Sequence, residues 1–149
     1  MGALKDRLSV ELREAMKARD TTRLATLRLL SAAVRNREVE LGHELSDVEL
    51  QAVASTEVKR RREAAEAFEQ GGRPELAEKE RAEQAILETY LPEQLSGEEL
   101  DAIIDEAVAA TGASGPGDLG QVMGQVMARA KGRAEGGEVR RRVAERLGG

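Results

Sequence analysis

The stretch "SDVELQAVASTEVKRRREAAEAFEQGGRPELAEKERAEQAILETYLPEQLS", residues 46–96, decides the fold. It begins with the capping box "SDVE", in which a serine and a glutamate satisfy the first N–H groups of a helix that runs to about Gln70. The letters "GGRP" then break the chain, and a second helix runs from Pro74 to about Leu91. Two long helices joined by so short a turn predict an antiparallel hairpin with "GGRP" at its tip.

Two further helices are predicted before this hairpin. Leucines and a methionine recur at every fourth position of the first sixteen residues, which indicates a helix that ends at about Ala18. Asp20 or Thr21 would cap a second helix, which ends near Gly42. Together with the hairpin they form an N-terminal subdomain of four helices.

Three shorter helices are predicted after the hairpin. "LPEQLS" is the natural boundary because Pro92 ends the hairpin, and "SGEE" is a second capping box that opens the fifth helix. Asp118 would cap the sixth helix and Gly132 would end it in the left-handed conformation, before a seventh helix. The predicted fold class is all-α, with an N-terminal four-helix subdomain (1–92) and a C-terminal three-helix bundle (96–149).

Composition limits the possible environments of the protein. The chain has 149 residues and no cysteine, which excludes disulfides and cysteine-ligated metals. Its first twelve residues lack the apolar run of a signal peptide, and no stretch approaches the roughly 20 apolar residues of a membrane span. We therefore expect a cytoplasmic protein that does not engage a membrane.

Charge is unevenly distributed, although the formal net charge is −5. Residues 5–37 carry a net charge of +5, residues 91–128 carry −7 and residues 129–149 carry +4. The negative total therefore conceals two positive regions. Only Phe68 and Tyr90 are aromatic, which argues against nucleic-acid binding by base stacking.

No catalytic constellation emerges from the sequence. His43 is the only histidine and lies in a Gly-His loop, so it predicts neither a metal site nor a catalytic dyad. Ser46 and Ser96 are explained as helix caps, and the glycine-rich nucleotide-binding motifs are absent. Asp101 and Asp105 share a helical face, for which a solvated acidic surface is the simpler interpretation. We predict no enzyme, no metal site and no cofactor.

The segment "GQVMGQVMARAKGRAEGGEVRRRV", residues 120–143, holds the most suggestive pattern. Gly120, Gly124 and Ala128 form a row of small residues that permits close approach either by a neighbouring helix or by the backbone of a ligand. The loop "KGRAEGG" places Lys131 and Arg133 before a helix N-terminus, which suits a phosphate. The alternative is a plain helix stop followed by a flexible turn.

Arg61 stands apart from the other cations of the run "KRRR". It lies within the apolar stripe of the third helix, so it either extends to solvent from the edge of the core or faces a partner protein.

The chain resembles the GatB/YqeY family over essentially its whole length. "YLPEQLS" and the pair "MGQVM" and "KGRAEG" carry the most specific part of this resemblance. The resemblance implies an all-helical protein of two subdomains, similar to the tail of the B subunit of the glutamine-dependent aspartyl/glutamyl-tRNA amidotransferase. In that enzyme the tail contacts tRNA, whereas the kinase-type and glutaminase active sites lie elsewhere. One departure is Glu135, where the family often has aspartate, a better helix cap.

These observations lead to three functional hypotheses. The first is a module that binds tRNA, and not DNA, through backbone shape and charge; its predicted contacts are Arg129, Lys131, Gly132, Arg133, Arg140 and Arg141. The second is a protein-interaction module that presents the hairpin and Arg61 to an amidotransferase subunit or an aminoacyl-tRNA synthetase. The third, implied by the resemblance alone, is an accessory role in carbon–nitrogen ligation with glutamine as amide donor.

Overall fold

The computed structural model describes residues 2–148, and within them the chain forms seven α-helices, one short 3₁₀ turn and no strand. The prediction of an all-α protein is confirmed. None of these helices is both long and apolar enough to cross a membrane. Two compact units are present, one up to Leu91 and one from Pro92 onward. The helices are α1 Ala3–Ala18, α2 Thr21–Leu41, α3 Asp47–Gln70, α4 Pro74–Glu88, α5 Gly97–Thr111, α6 Leu119–Ala130 and α7 Gly136–Arg146.

Helices α3 and α4 form the antiparallel hairpin and pack along each other. At the tip, Gly72 has a φ of +73°, a conformation that glycine adopts without steric cost. The Arg73 N–H donates to the Phe68 carbonyl at 2.7 Å and closes the turn. Farther from the tip, a shallow pocket between the two helices is lined by both Arg62 and Glu88, as an antiparallel arrangement requires.

Helix α4 ends three residues earlier than predicted, at Glu88 rather than at Leu91. The N–H groups of the next three residues bond to carbonyls three positions back instead of four, for example from Leu91 to Glu88 at 3.0 Å. Pro92 explains this tightening, because a proline disfavours the α conformation in the residue before it.

The first unit is held together around Tyr90, which is 1% exposed. The Tyr90 hydroxyl donates to the carboxylate of Glu11, and the Arg7 guanidinium lies 4.2 Å from the centre of the ring. Arg7 also donates to the carbonyl and to the hydroxyl of Thr89, at 2.8 and 2.9 Å. Arg23 approaches Glu11 to 3.4 Å. This network joins α1, α2 and the end of α4.

An apolar core lies beneath this network. Its fully buried leucines come from α1 to α4 and from the loop before α3. They are Leu8, Leu27, Leu30, Leu45, Leu50 and Leu87.

Helix caps fix the connections in both units. Ser46 and Ser96 each form the predicted capping box, and Asp20 accepts a hydrogen bond from the Arg23 N–H at 3.1 Å. Asp118 does not cap α6 as predicted. Its carboxylate instead accepts from the N–H groups of Ser114 and Gly115, because a 3₁₀ turn at residues 116–118 points it back along the loop.

The second unit buries the apolar faces of α5, α6 and α7 against one another. Ion pairs bridge the helices at the surface of this core. Arg142 donates to both carboxylate oxygens of Asp101 at 3.0 Å, and Arg146 donates to Asp105 at 2.9 Å. The acidic face predicted from Asp101 and Asp105 is therefore paired with arginines of α7.

The bond between Tyr90 and Glu11 predicts a pH-dependent stability. Burial raises the pKa of Glu11, but the hydrogen bond from Tyr90 and the charges of Arg7 and Arg23 outweigh burial and hold this pKa below its usual 4.5. A depressed folded-state pKa stabilises the fold at neutral pH, and this stabilisation is lost as the pH falls through that pKa. We expect Tyr90→Phe to lower the free energy of unfolding by about 1.5–3 kcal/mol at neutral pH.

The measurement is urea unfolding of the wild type and Tyr90→Phe at neutral pH and at a pH below the pKa of Glu11. The loss should shrink in acid, because a neutral carboxyl group accepts the hydrogen bond less strongly. Glu11→Gln is the control; it should lose stability at neutral pH and should lose less further stability in acid than the wild type does. An equal effect of Tyr90→Phe at both pH values would contradict the prediction.

Candidate nucleic-acid interface

Two of the predicted RNA contacts are held in exposed ion pairs. Arg129 pairs with Glu106 across the α5–α6 interface. Arg141 pairs along α7 with Glu138 and Glu145, at 2.6 and 2.8 Å. About half of each arginine side chain remains exposed, and exposed pairs contribute little free energy. Either arginine could therefore exchange its carboxylate for a phosphate at low cost.

Lys131 and Arg140 are exposed, and neither side chain makes an ion pair or hydrogen bond to another residue among 2–148. Arg142 faces Asp101 on α5, and Arg140 lies two positions earlier, about 200° around α7. Arg140 is consequently on the flank that faces away from α5, toward α6. Lys131 follows the last residue of α6 directly.

The N-terminus of α7 is occupied by a side chain of the protein itself. The Glu135 carboxylate accepts from the N–H groups of Gly137 and Glu138, at 2.9 and 2.8 Å. Glutamate thus caps this helix although aspartate is the better capping residue. The N–H groups that were expected to hold a phosphate already bind a carboxylate.

Arg133 and Gly132 hold the segment that follows Pro92. The Arg133 carbonyl accepts from the Leu95 N–H at 2.7 Å, and its guanidinium donates to the Glu93 carbonyl at 3.1 Å. The Gly132 carbonyl accepts from the Gln94 amide at 2.9 Å. Gly132 has the predicted left-handed conformation, with a φ of +77°. These contacts give both residues a structural role, and their predicted contact with RNA remains a prediction.

Gly120 and Gly124 do not serve helix packing within the second unit. Apart from the backbone of their own helix, no atom of the described residues lies within 4 Å of the position that a methyl group would take at either glycine. Both are exposed, as is Ala128 one turn farther along. Of the two interpretations that the sequence left open, close approach by a neighbouring helix is not found within the second unit. We call Gly120, Gly124 and Ala128 the glycine strip.

The glycine strip lies on the same side of the second unit as the two unpaired cations. Arg129 marks the flank of α6 that faces α5, because it pairs with Glu106. Met127, two positions earlier, is on the opposite flank and is half-buried. The strip runs beside this methionine, and Lys131 continues it seven residues after Gly124. By helical spacing, the strip and Lys131 therefore lie away from the α5 flank of α6, and Arg140 lies away from the α5 flank of α7.

Arg61 is mostly buried, with a side-chain exposure of 12%. It donates to Glu57 at 3.2 Å, and its Nε atom has no hydrogen-bond partner within the described part of the chain. Glu57 is also buried and accepts a second bond from Arg60 at 2.9 Å. This position fits the structural interpretation of Arg61, and its role in binding a partner remains a prediction.

Sequence reasoning missed the arginines that neutralise α5. Arg142 binds Asp101 and also Glu138, at 2.7 Å, and the hydrogen bonds from Arg141 and Arg142 hold the pKa of Glu138 below its usual value. The 3- and 4-residue spacing of Glu138 from these arginines was a visible signal. The pairing of α7 with α5 had no sequence signal, because the partners are 41 residues apart.

A family of proteins described as Yqey-like protein matches residues 5–147 of this chain. Its match extends over both compact units. Neither this description nor the names of the relatives given below states a catalytic activity.

Three related fungal proteins carry the name Altered inheritance of mitochondria protein 41, mitochondrial. The protein of Eremothecium gossypii is 33% identical over 113 residues, which cover 71% of this chain and 62% of that protein. The protein of Clavispora lusitaniae is 34% identical over 90 residues, 60% of this chain and 52% of its own length. The protein of Lachancea thermotolerans is 30% identical over 112 residues, which cover 73% of this chain and 60% of that protein. This chain thus spans between half and two thirds of their length.

These names contradict the prediction of a cytoplasmic location, because all three relatives are described as mitochondrial. The prediction was wrong because its criterion was too narrow. Lack of an apolar run argues only against a secretory signal peptide, whereas mitochondrial targeting segments are amphipathic and rich in arginine.

The open glycine strip predicts that alanine stabilises α6. Glycine in a helix interior costs about 1 kcal/mol relative to alanine, and nothing at these positions obstructs a methyl group. We expect Gly120→Ala with Gly124→Ala to raise the free energy of unfolding of the second unit by about 1 kcal/mol, mostly from Gly124, because Gly120 is only the second residue of α6. Hydrogen exchange of the α6 amides reports this change separately from the first unit.

Gly132→Ala is the matched control and should lower stability, because alanine is strained at its positive φ. A double variant no more stable than the wild type would contradict the prediction.

Proposed function

The chain belongs to the YqeY-like protein family, and from this premise we propose that it is a helical tRNA-binding module without catalysis of its own. The family's resemblance to the tRNA-contacting tail of the amidotransferase B subunit supports this proposal. The observation that carries it is the glycine strip. Its glycines leave the α6 backbone exposed without side chains, although glycine lowers the stability of a helix.

A bare helix surface suits a ligand whose own backbone must come close. Each missing side chain lets a partner's backbone come nearer to the α6 backbone, without displacing any atom of this protein. Gln121 and Gln125 are exposed beside the strip, and their amides can both donate to and accept from ribose hydroxyls. RNA is recognised largely by shape and by such 2′-hydroxyl contacts, which require no aromatic platform.

Cations of α6 and α7 supply contacts to phosphate. Lys131 and Arg140 lie on the strip's side of these helices and are available as they stand. Arg129, on the α5 flank of α6, and Arg141 can exchange their exposed carboxylates for phosphates. Residues 92–149 contain seven basic and ten acidic residues, so the second unit as a whole does not attract RNA. Binding should depend on a local surface and involve few phosphates, about two to four.

Charge reversal at the two available cations tests the electrostatic part of the proposal. We expect Lys131→Glu with Arg140→Glu to weaken binding of unmodified tRNA at least tenfold, because two phosphate contacts are lost. The logarithmic salt dependence should also become shallower by about 2. Fluorescence anisotropy with labelled tRNA across a salt series measures both quantities. Lys79→Glu is the control, since Lys79 is exposed on α4 and has no ion pair among the described residues.

Larger side chains on the glycine strip test whether tRNA binding depends on the shape of this surface. The measurement is the same tRNA titration. Gly124→Gln with Ala128→Gln should weaken binding to a similar degree with no change in the salt dependence. Ala109→Gln, at an exposed position of α5, should have no effect. Binding that is undetectable for the wild type at low salt, or that survives both double variants, would overturn the proposal.

A further inference from the structure

Helix α2 is apolar on two opposite faces. One face buries Leu27, Leu30 and Val34 in the core of the first unit. On the other face, Leu29 is 47% exposed and Val39 is 79% exposed. A helix at the surface of a soluble protein normally has a polar outer face, so an apolar one marks a surface that another molecule covers.

The outer face of α2 has the spacing of a helix–helix seam. Ala25, Leu29, Ala32, Asn36 and Val39 recur at intervals of four, three, four and three residues, and all five are exposed. This heptad spacing is the pattern by which two helices pack side by side, and a single asparagine in such a seam fixes the register of the pair. No helix of the first unit packs on it. We call these five residues the α2 seam.

Cations border the α2 seam on the side that faces α1. The ion pair of Lys5 with Glu38, at 2.8 Å, identifies this side. Arg35 and Arg28 lie three and ten residues before Glu38, on the same side of the helix. Both arginines are exposed, and neither side chain has an ion pair or hydrogen bond to any residue that the structure describes. Arg13, eight residues after Lys5 on α1, is also exposed and has no ion pair or hydrogen bond to a described residue.

We propose that the α2 seam docks an amphipathic helix of another protein, one whose apolar stripe is bordered by glutamate or aspartate. The apolar seam accepts the stripe, and Arg28 and Arg35 then pair with the acidic border. Apart from Asn36, the side chains of the seam are apolar and have no donor for a phosphate backbone. The site is in the first unit, whereas the glycine strip is in the second, and it does not depend on the proposed binding of tRNA.

A second copy of this chain fits the surface less well. Antiparallel pairing of two α2 helices would place Arg28 against Arg35, and like charges at these positions repel. Parallel pairing would offer Arg35 only Glu40, which already pairs with Arg37 of its own helix at 2.8 Å. Arg28 would remain without a counter-charge in both arrangements.

The test uses the full-length protein and two synthetic helical peptides of about three heptads. Both carry leucine at the seam positions; one has glutamate and the other lysine at the bordering positions. Calorimetry should show at least tenfold tighter binding of the acidic peptide. Arg28→Glu with Arg35→Glu should reverse this preference, and Leu29→Glu should abolish binding of both. Lys59→Glu with Lys79→Glu, on the exposed side of the hairpin, is the matched control and should change neither affinity.

Three results would overturn the proposal. The first is equal binding of the two peptides, or no binding of either, with a wild-type fold confirmed by circular dichroism. The second is a dimer of the protein alone in sedimentation, dissociated by Leu29→Glu, since the occupant would then be a second copy. The third is loss of tRNA binding in Arg28→Glu with Arg35→Glu while the preference for the acidic peptide persists.

Discussion

The hydrogen bond from Tyr90 to Glu11 is the interaction on which the first unit depends. A buried phenol needs an acceptor, and here the acceptor is on α1, 79 residues away in sequence. The same carboxylate is approached by Arg7 and Arg23, so one buried tyrosine joins α1 and α2 to the end of the hairpin. Two residues later Pro92 begins the second unit.

Charge pairing, rather than net charge, determines which surfaces can bind. In the second unit most arginines of α7 pair with carboxylates of α5 or of their own helix, so basic residues at the C-terminus do not make a basic surface. The cations that remain unpaired among the described residues include Lys131 and Arg140 beside the glycine strip and Arg28 and Arg35 beside the α2 seam. In both places they border a surface whose shape or apolarity already suggests a partner.

Sequence signals predicted correctly those features that depend only on interactions between neighbouring residues. The capping boxes at Ser46 and Ser96, the left-handed Gly132 and the break at "GGRP" depend on neighbours within a few residues, and all were predicted correctly. Asp118 failed as a cap because a turn of three residues redirected its carboxylate. The end of α4 was misplaced because the influence of Pro92 extends back over a whole turn.

The sequence by itself determined that this protein is all-helical, because the period of its apolar residues and its caps are properties of the local chain. Only the tertiary structure decided what the glycines of "GQVMGQVM" face. Whether a missing side chain makes room for a neighbour or leaves open space depends on what packs opposite, and that is decided by residues distant in sequence. For Gly120 and Gly124 nothing packs opposite within the second unit, and the space beside them is open.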